Sequence, residues 1–167
     1  MTTVIFSHGQ ESGPWGTKIR AMSERVKAMG CSVDSIDYQG ITDPTDRVEK
    51  LQQECADIDD ALILAGSSMG GHVATAGAEV LGAVGLFVLA PAYNMDGFEG
   101  LTPPPPTMPI CIVHGWHDDI VPVENSIRFA HSCSATLHLV NGDHRLTDNI
   151  GEINEYLEQF IKTIRST

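Results

Sequence analysis

Ala61-Leu62-Ile63-Leu64-Ala65-Gly66-Ser67-Ser68-Met69-Gly70-Gly71-His72-Val73-Ala74-Thr75-Ala76 is the stretch on which the reading of the chain rests. Its first five residues are an apolar run of strand length, and the segment after Gly70 carries few helix breakers. Strand, G-x-S-x-G, helix is the context in which a serine serves as a nucleophile rather than as a turn residue. A sharp strand-to-helix turn strains the backbone, so the positions two before and two after the serine must be small, and Gly66 and Gly70 satisfy that. Were Ser67 the nucleophile, Met69 would fill the second small position and crowd the turn; Ser68 is therefore the candidate. A phosphate cradle has no support, since no Gly-Lys-Ser/Thr follows and no G-x-G-x-x-G succeeds an apolar run.

A serine hydroxyl needs a base within hydrogen-bond reach, itself oriented by a third group. Of 7 histidines, His144 stands in Asn141-Gly142-Asp143-His144-Arg145, a loop just after the strand-like Thr136-Leu137-His138-Leu139-Val140. The carboxyl end of a strand is where an open parallel sheet places its crevice. His138 lies inside that strand, His72 faces the interior from the helix after Ser68, and His131 belongs to a polar helical segment. His8 and His114 each open a His-Gly pair that shapes a strand end, which leaves His117 as the rival to His144. The acid is expected after the buried strand Pro109-Ile110-Cys111-Ile112-Val113, where Asp118 and Asp119 compete. Asp143 is the sequence neighbour of His144, and adjacent loop residues rarely aim at each other's rings. Asp118 has the spacing of an inward carboxylate.

Serine, aspartate, histidine in that order is the order of the α/β-hydrolase triad, and the chain resembles a small, lidless serine esterase of that superfamily. Val4-Ile5-Phe6-Ser7-His8-Gly9-Gln10 is similar to the first strand and oxyanion loop, Gly66 to Gly70 to the nucleophile elbow, and His114-Gly115-x-x-Asp118-x-x-Val121-Pro122 to the acid turn. The resemblance favours Asp118 over Asp119. It implies Ser68 as nucleophile, His144 as base, Asp118 as its orienter, and the backbone N–H groups of Gln10 and Met69 as oxyanion hole. It further implies a three-layer α/β sandwich with a mainly parallel six-stranded sheet in the order 2-1-3-4-5-6, lacking the family's two leading strands. No insertion large enough for a lid follows Gly85-Leu86-Phe87-Val88-Leu89; residues 91–108, with the stiff run Pro103 to Pro106, form a substrate-side loop instead. Tyr93, Met95, Phe98 and Trp116 are expected to line the substrate pocket.

Alternating runs give the same class. Strands are expected at Thr3–Phe6, Ser32–Asp37, Ala61–Ala65, Gly85–Ala90, Ile110–His114 and Thr136–Val140, and helices at Trp15–Met29, Pro44–Ile58, Met69–Leu81, Val123–Ser132 and Asp148–Ile164. Ser32–Asp37 becomes an edge that Asp34 and Asp37 protect from pairing. With 167 residues the chain is expected to be one domain. A net charge of −12 argues against nucleic acid and anionic membrane as partners. Cys31, Cys55, Cys111 and Cys133 have neither C-x-x-C spacing nor the density of a disulfide scaffold. The expectation is a cytoplasmic monomer or homodimer without metal or cofactor, acting on a small-molecule ester. The reading of another class is a hydrolase-fold binding module that has lost catalysis; thioesterase or peptidase chemistry would use the same three residues.

Overall fold

The computed structural model describes residues 1–167. Its six strands are β1 (Thr2–Ser7), β2 (Ser32–Ile36), β3 (Ala61–Ser67), β4 (Gly85–Leu89), β5 (Ile110–Gly115) and β6 (Thr136–Val140). Five α-helices alternate with them: α1 (Thr17–Ala28), α2 (Pro44–Cys55), α3 (Met69–Ala78), α4 (Val123–Cys133) and α5 (Ile150–Arg165). All neighbouring strands pair in parallel, in the order β2-β1-β3-β4-β5-β6. This is the α/β-hydrolase sheet expected from the sequence.

Period-two alternation sorts each central strand between two cores. Ile5, Leu62, Leu64, Leu86, Val88, Ile110 and Ile112 face α2, α3 and α4, where they meet Leu51, Val73, Ala74 and Phe129. Val4, Phe6, Ile63, Ala65, Phe87, Leu89, Cys111 and Val113 face α1 and α5, against Ile19, Met22, Val26, Ile153, Leu157 and Ile161. Burial on both faces explains why these strands read as continuous apolar runs.

Element boundaries differ from the sequence reading at helix starts. α1 begins at Thr17, so Trp15 precedes the helix and is 39% exposed, and a 3₁₀ turn, Thr147–Asn149, stands before α5. α2 starts as expected: the Asp43 carboxylate caps it by accepting from the Thr45 N–H at 2.7 Å, with Pro44 in the first turn. β2 is an edge strand with Asp34 exposed on it. All four cysteines are free thiols, and no helix is long and apolar enough to cross a membrane.

The loop over residues 91–108 is fastened along its length. Tyr93 is fully buried, stacked on Phe129 at 4.1 Å between ring centroids, with its hydroxyl hydrogen-bonded to Thr75 Oγ1. The Asn125 amide donates to the Tyr93 and Asn94 carbonyls, and Glu79 accepts from both the N–H and the hydroxyl of Thr107 beyond the prolines. The expectation that Tyr93 lines a substrate pocket is thus corrected. Its ring belongs to the core and its hydroxyl is already paired.

Candidate active site

β3 ends at Ser67 and α3 begins at Met69, leaving a single residue, Ser68, to make the reversal. Its backbone sits at φ 55°, ψ −118°, a conformation that L-residues rarely hold. Hydrogen bonds on both sides of the residue fix it there. The Ser68 N–H donates to Leu89 O at 2.9 Å, and Ser68 O accepts from the N–H groups of Gly71, His72 and Ala92 at 3.0–3.2 Å. The flanking glycines are a packing necessity: a Cβ on Gly66 would overlap the Gly70 carbonyl, and one on Gly70 would overlap the Ser7 carbonyl and lie 2.6 Å from His8 O. Gly70 therefore lets the start of α3 touch the end of β1, which sets the elbow against the loop holding Gln10. The Gln10 N–H donates to no other group of the chain, and Met69 opens a helix, where the dipole favours negative charge.

The other two side chains arrive on adjoining strand ends. A Cβ on Gly115, the last residue of β5, would overlap the Gly142 carbonyl after β6; Trp116 N–H donates to Val140 O and His117 N–H to Gly142 O. This contact brings the Asp118 and His144 loops together. Asp143 Oδ1 accepts from the Arg145 and Leu146 N–H groups, so this carboxylate folds its own loop rather than facing His144. Leu146, at φ 55° and fully buried, pins the far side of the loop.

His144 Nε2 lies 3.1 Å from Ser68 Oγ, and His144 Nδ1 lies 2.8 Å from Asp118 Oδ2. The Asp118 side chain is wholly buried while that of His144 is 19% exposed. An ionised carboxylate only accepts, so the proton of a neutral His144 sits on Nδ1 and leaves Nε2 to accept from the Ser68 hydroxyl. Asp118 Oδ1 accepts from the N–H groups of Ile120 and Val121, and Oδ2 also lies 3.0 Å from His114 Nε2. Burial alone would raise the Asp118 carboxyl, yet the bonds from His114, His144, Val121 and Ile120 outweigh it and hold the group well below the usual carboxylate range. His117 and Asp119 are both exposed. Of the expected pocket residues, Met95 is half-buried, whereas Phe98 and Trp116 are 64% and 53% exposed.

Sequence reasoning missed Arg47. It occupies α2 as an ordinary arginine in an amphipathic helix, yet it is 1% exposed. Its Nε donates to Ile41 O at 2.7 Å, and Nη1 donates to His8 O and Gly9 O at 3.3 Å, with the guanidinium 5.3 Å from the Tyr38 ring centroid. His8 completes the brace: Nε2 accepts from the Tyr38 N–H, so Nδ1 carries the proton that goes to Gly9 O. These bonds hold the loop from which Gln10 projects. Arg47→Ala is expected to lower stability by about 3 kcal/mol, through the cavity and the orphaned carbonyls. Denaturant unfolding checks this, and turnover per folded molecule should fall as well.

Burial holds His8, His72 and His138 below the ordinary histidine value. The unfolded chain therefore binds protons at these sites before the folded one does, and stability declines as pH falls below about 6.5. Asp118 adds a further loss below about pH 4, where an unfolded carboxylate protonates first. Tm is expected to hold between pH 8 and about pH 7 and to fall from there to about pH 3; a rise on acidification below about pH 6.5 would contradict these assignments.

Comparison with known proteins agrees with this architecture. The family described as Alpha/beta hydrolase domain matches residues 1–165. A Xanthomonas campestris protein assigned to the alpha/beta hydrolase superfamily is 27% identical, with a TM-score of 0.88 over 96% of this chain and 98% of its own. Est1E from Butyrivibrio proteoclasticus, also solved with ferulic acid bound, is 18% identical, with a TM-score of 0.84 over 99% and 89%. A serine hydrolase without a lid, also from X. campestris, is 18% identical, with a TM-score of 0.73 over 97% and 81%. These last two share the fold. No curated protein matches the chain. With the family match running almost from end to end and the sheet order in agreement, the chain belongs to the alpha/beta hydrolases.

Proposed function

We propose that the protein is a serine hydrolase that cleaves carboxylic esters, with thioesters as close relatives, through a covalent acyl-enzyme. The observation that carries this reading is the pair of contacts made by His144, 3.1 Å to Ser68 Oγ and 2.8 Å to Asp118 Oδ2. In the proposed reaction His144 Nε2 takes the hydroxyl proton as Ser68 Oγ bonds to the ester carbonyl carbon. The Gln10 and Met69 N–H groups receive the resulting oxyanion, each worth about 10²–10³ in turnover. Collapse breaks the bond to the alcohol oxygen, which leaves with the proton from Nε2. Water then attacks the acyl-enzyme, gives its proton to Nε2, and the acid departs as Ser68 Oγ is reprotonated. Asp118 holds the imidazole in the required tautomer and stabilises the imidazolium.

The substrate proposed is a small or flexible acyl ester, taken without metal or cofactor by a monomer or homodimer. Phe98 and Trp116, both largely exposed, and the half-buried Met95 are the side chains proposed to meet it. A fluorophosphonate probe is expected to label the protein stoichiometrically and to leave Ser68→Ala unlabelled. Equal labelling of that variant would refute the assignment. A series of p-nitrophenyl esters of graded chain length, run beside acyl-thioesters, then sets the acyl preference.

A further inference from the structure

The proposed mechanism does not use His114, although it is among the most enclosed polar side chains in the molecule. It stands on β5, fully buried, with Nε2 3.0 Å from Asp118 Oδ2 and 3.0 Å from Val121 O, and Nδ1 2.6 Å from Ser126 Oγ. Ser126 lies on α4 and is itself fully buried. Both groups facing Nε2 are acceptors, so this nitrogen carries a proton. In the neutral ring Nδ1 then accepts from the Ser126 hydroxyl. The single Nε2 proton makes its hydrogen bond to Val121 O and also faces Asp118 Oδ2 at 3.0 Å, so Ser126 donates to His114 and His114 is shared between that carbonyl and the carboxylate, while Ser68 donates to His144 and His144 to Asp118.

We infer that His114, oriented by Ser126, is a positioning residue of the active site that shares Asp118 Oδ2 with His144. The inference rests on the serine-hydrolase reading above. A shared His114 proton beside the His144 donor on one oxygen has two consequences. The two rings fix the carboxylate plane so that Oδ2 cannot rotate away from His144 as the ring takes up charge. They also divide the negative charge, so that His144 meets a partly compensated anion rather than a bare one. Removing the His114 donor leaves more charge facing His144, which stabilises the imidazolium and demands a higher pH before Nε2 can accept the serine proton. Lys18 from α1 carries a charge that interacts with Asp118 and, in turn, with Asp143 and Arg145 of the His144 loop, and all of these remain in the variants below.

The test is the pH dependence of the second-order rate of fluorophosphonate labelling, which reads Ser68 activation without knowledge of the natural substrate. In His114→Leu the rate at neutral pH is expected to fall about tenfold, part of the 10²–10⁴ that positioned acid–base catalysis contributes. The acid limb is expected to move to higher pH by about half a unit. His114→Gln, whose amide keeps a donor, should restore most of both. Ser126→Ala removes only the hydroxyl that polarises the ring, so it should move the limb in the same direction by less. That variant keeps the test open if His114→Leu does not fold. A merely structural role would lower the amount of active protein and leave the limb in place. An unmoved limb in folded His114→Leu or Ser126→Ala, with wild type labelled normally, overturns this inference alone. Failure of wild type to label at Ser68 overturns the reading beneath it.

Discussion

Replacing Ser68 by alanine is expected to lower turnover by about 10⁶, and removing His144 in that background is expected to cost almost nothing more, because the groups act as a unit. The geometry gives the reason. His144 Nε2 has the Ser68 hydroxyl as its neighbour at 3.1 Å, so a base without its nucleophile has no proton to take. Asp118→Asn should cost about 10⁴, as a carboxamide favours the wrong imidazole tautomer. The effect is sharpened here by the surroundings of Asp118. If the amide oxygen keeps the Ile120 and Val121 N–H groups, the amide nitrogen must face both His114 Nε2 and His144 Nδ1, where the carboxylate now accepts from His144 and lies 3.0 Å from the His114 nitrogen. One of the two rings must change tautomer or turn away. Asp119→Asn, on an exposed side chain, is the matched control and should turn over as wild type. Steady-state kinetics on an ester that the wild type hydrolyses decides between them. Turnover kept in Asp118→Asn and lost in Asp119→Asn would move the acid role to the neighbour.

The fold was legible because central parallel strands are buried on both faces, so their apolar runs stand out from amphipathic helices and from glycine- and proline-marked loops. The same logic placed Ser68, His144 and Asp118 at strand ends, and the structure puts them within hydrogen-bond distance along one chain of contacts. What could not be read was the direction in which a loop side chain points. Tyr93 looked like a pocket residue because it follows β4 in a loop, but the loop folds inward and the ring stacks on Phe129 from α4, which lies 36 positions away in the chain. Arg47 failed in the opposite sense. An arginine on a polar helix reads as solvated, and only the tertiary approach of α2 to the end of β1 aims its guanidinium at the His8 and Gly9 carbonyls. His114 was legible as a turn-shaping histidine, whereas its approach to Asp118 depends on how the residues between them fold back.

Gly70→Ala is expected to be the most damaging change of a single methyl group in the protein. The added carbon would overlap the Ser7 carbonyl oxygen and lie 2.6 Å from His8 O, both backbone atoms of β1 and its loop. Side-chain rotation cannot relieve such a clash, so α3 must back away from β1. The cost is expected to reach at least the 1–3 kcal/mol typical of overpacking, or about 3 kcal/mol. The larger consequence falls on the proposed chemistry. Retreat of α3 carries the Met69 N–H away from the Gln10 N–H, and displacing one oxyanion donor costs about 10²–10³ in turnover. Gly77→Ala supplies the contrast on the same helix. There the new carbon meets the end of the Leu51 side chain at 2.8 Å, which can rotate, and alanine gains about 1 kcal/mol of helix propensity over glycine. That variant should stay within about 1 kcal/mol of wild type and keep its turnover. Tm and turnover measured on the pair separate the two effects. A Gly70→Ala protein as stable and as active as Gly77→Ala would mean that α3 does not rest on the end of β1, and the proposed meeting of elbow and oxyanion loop would fail with it.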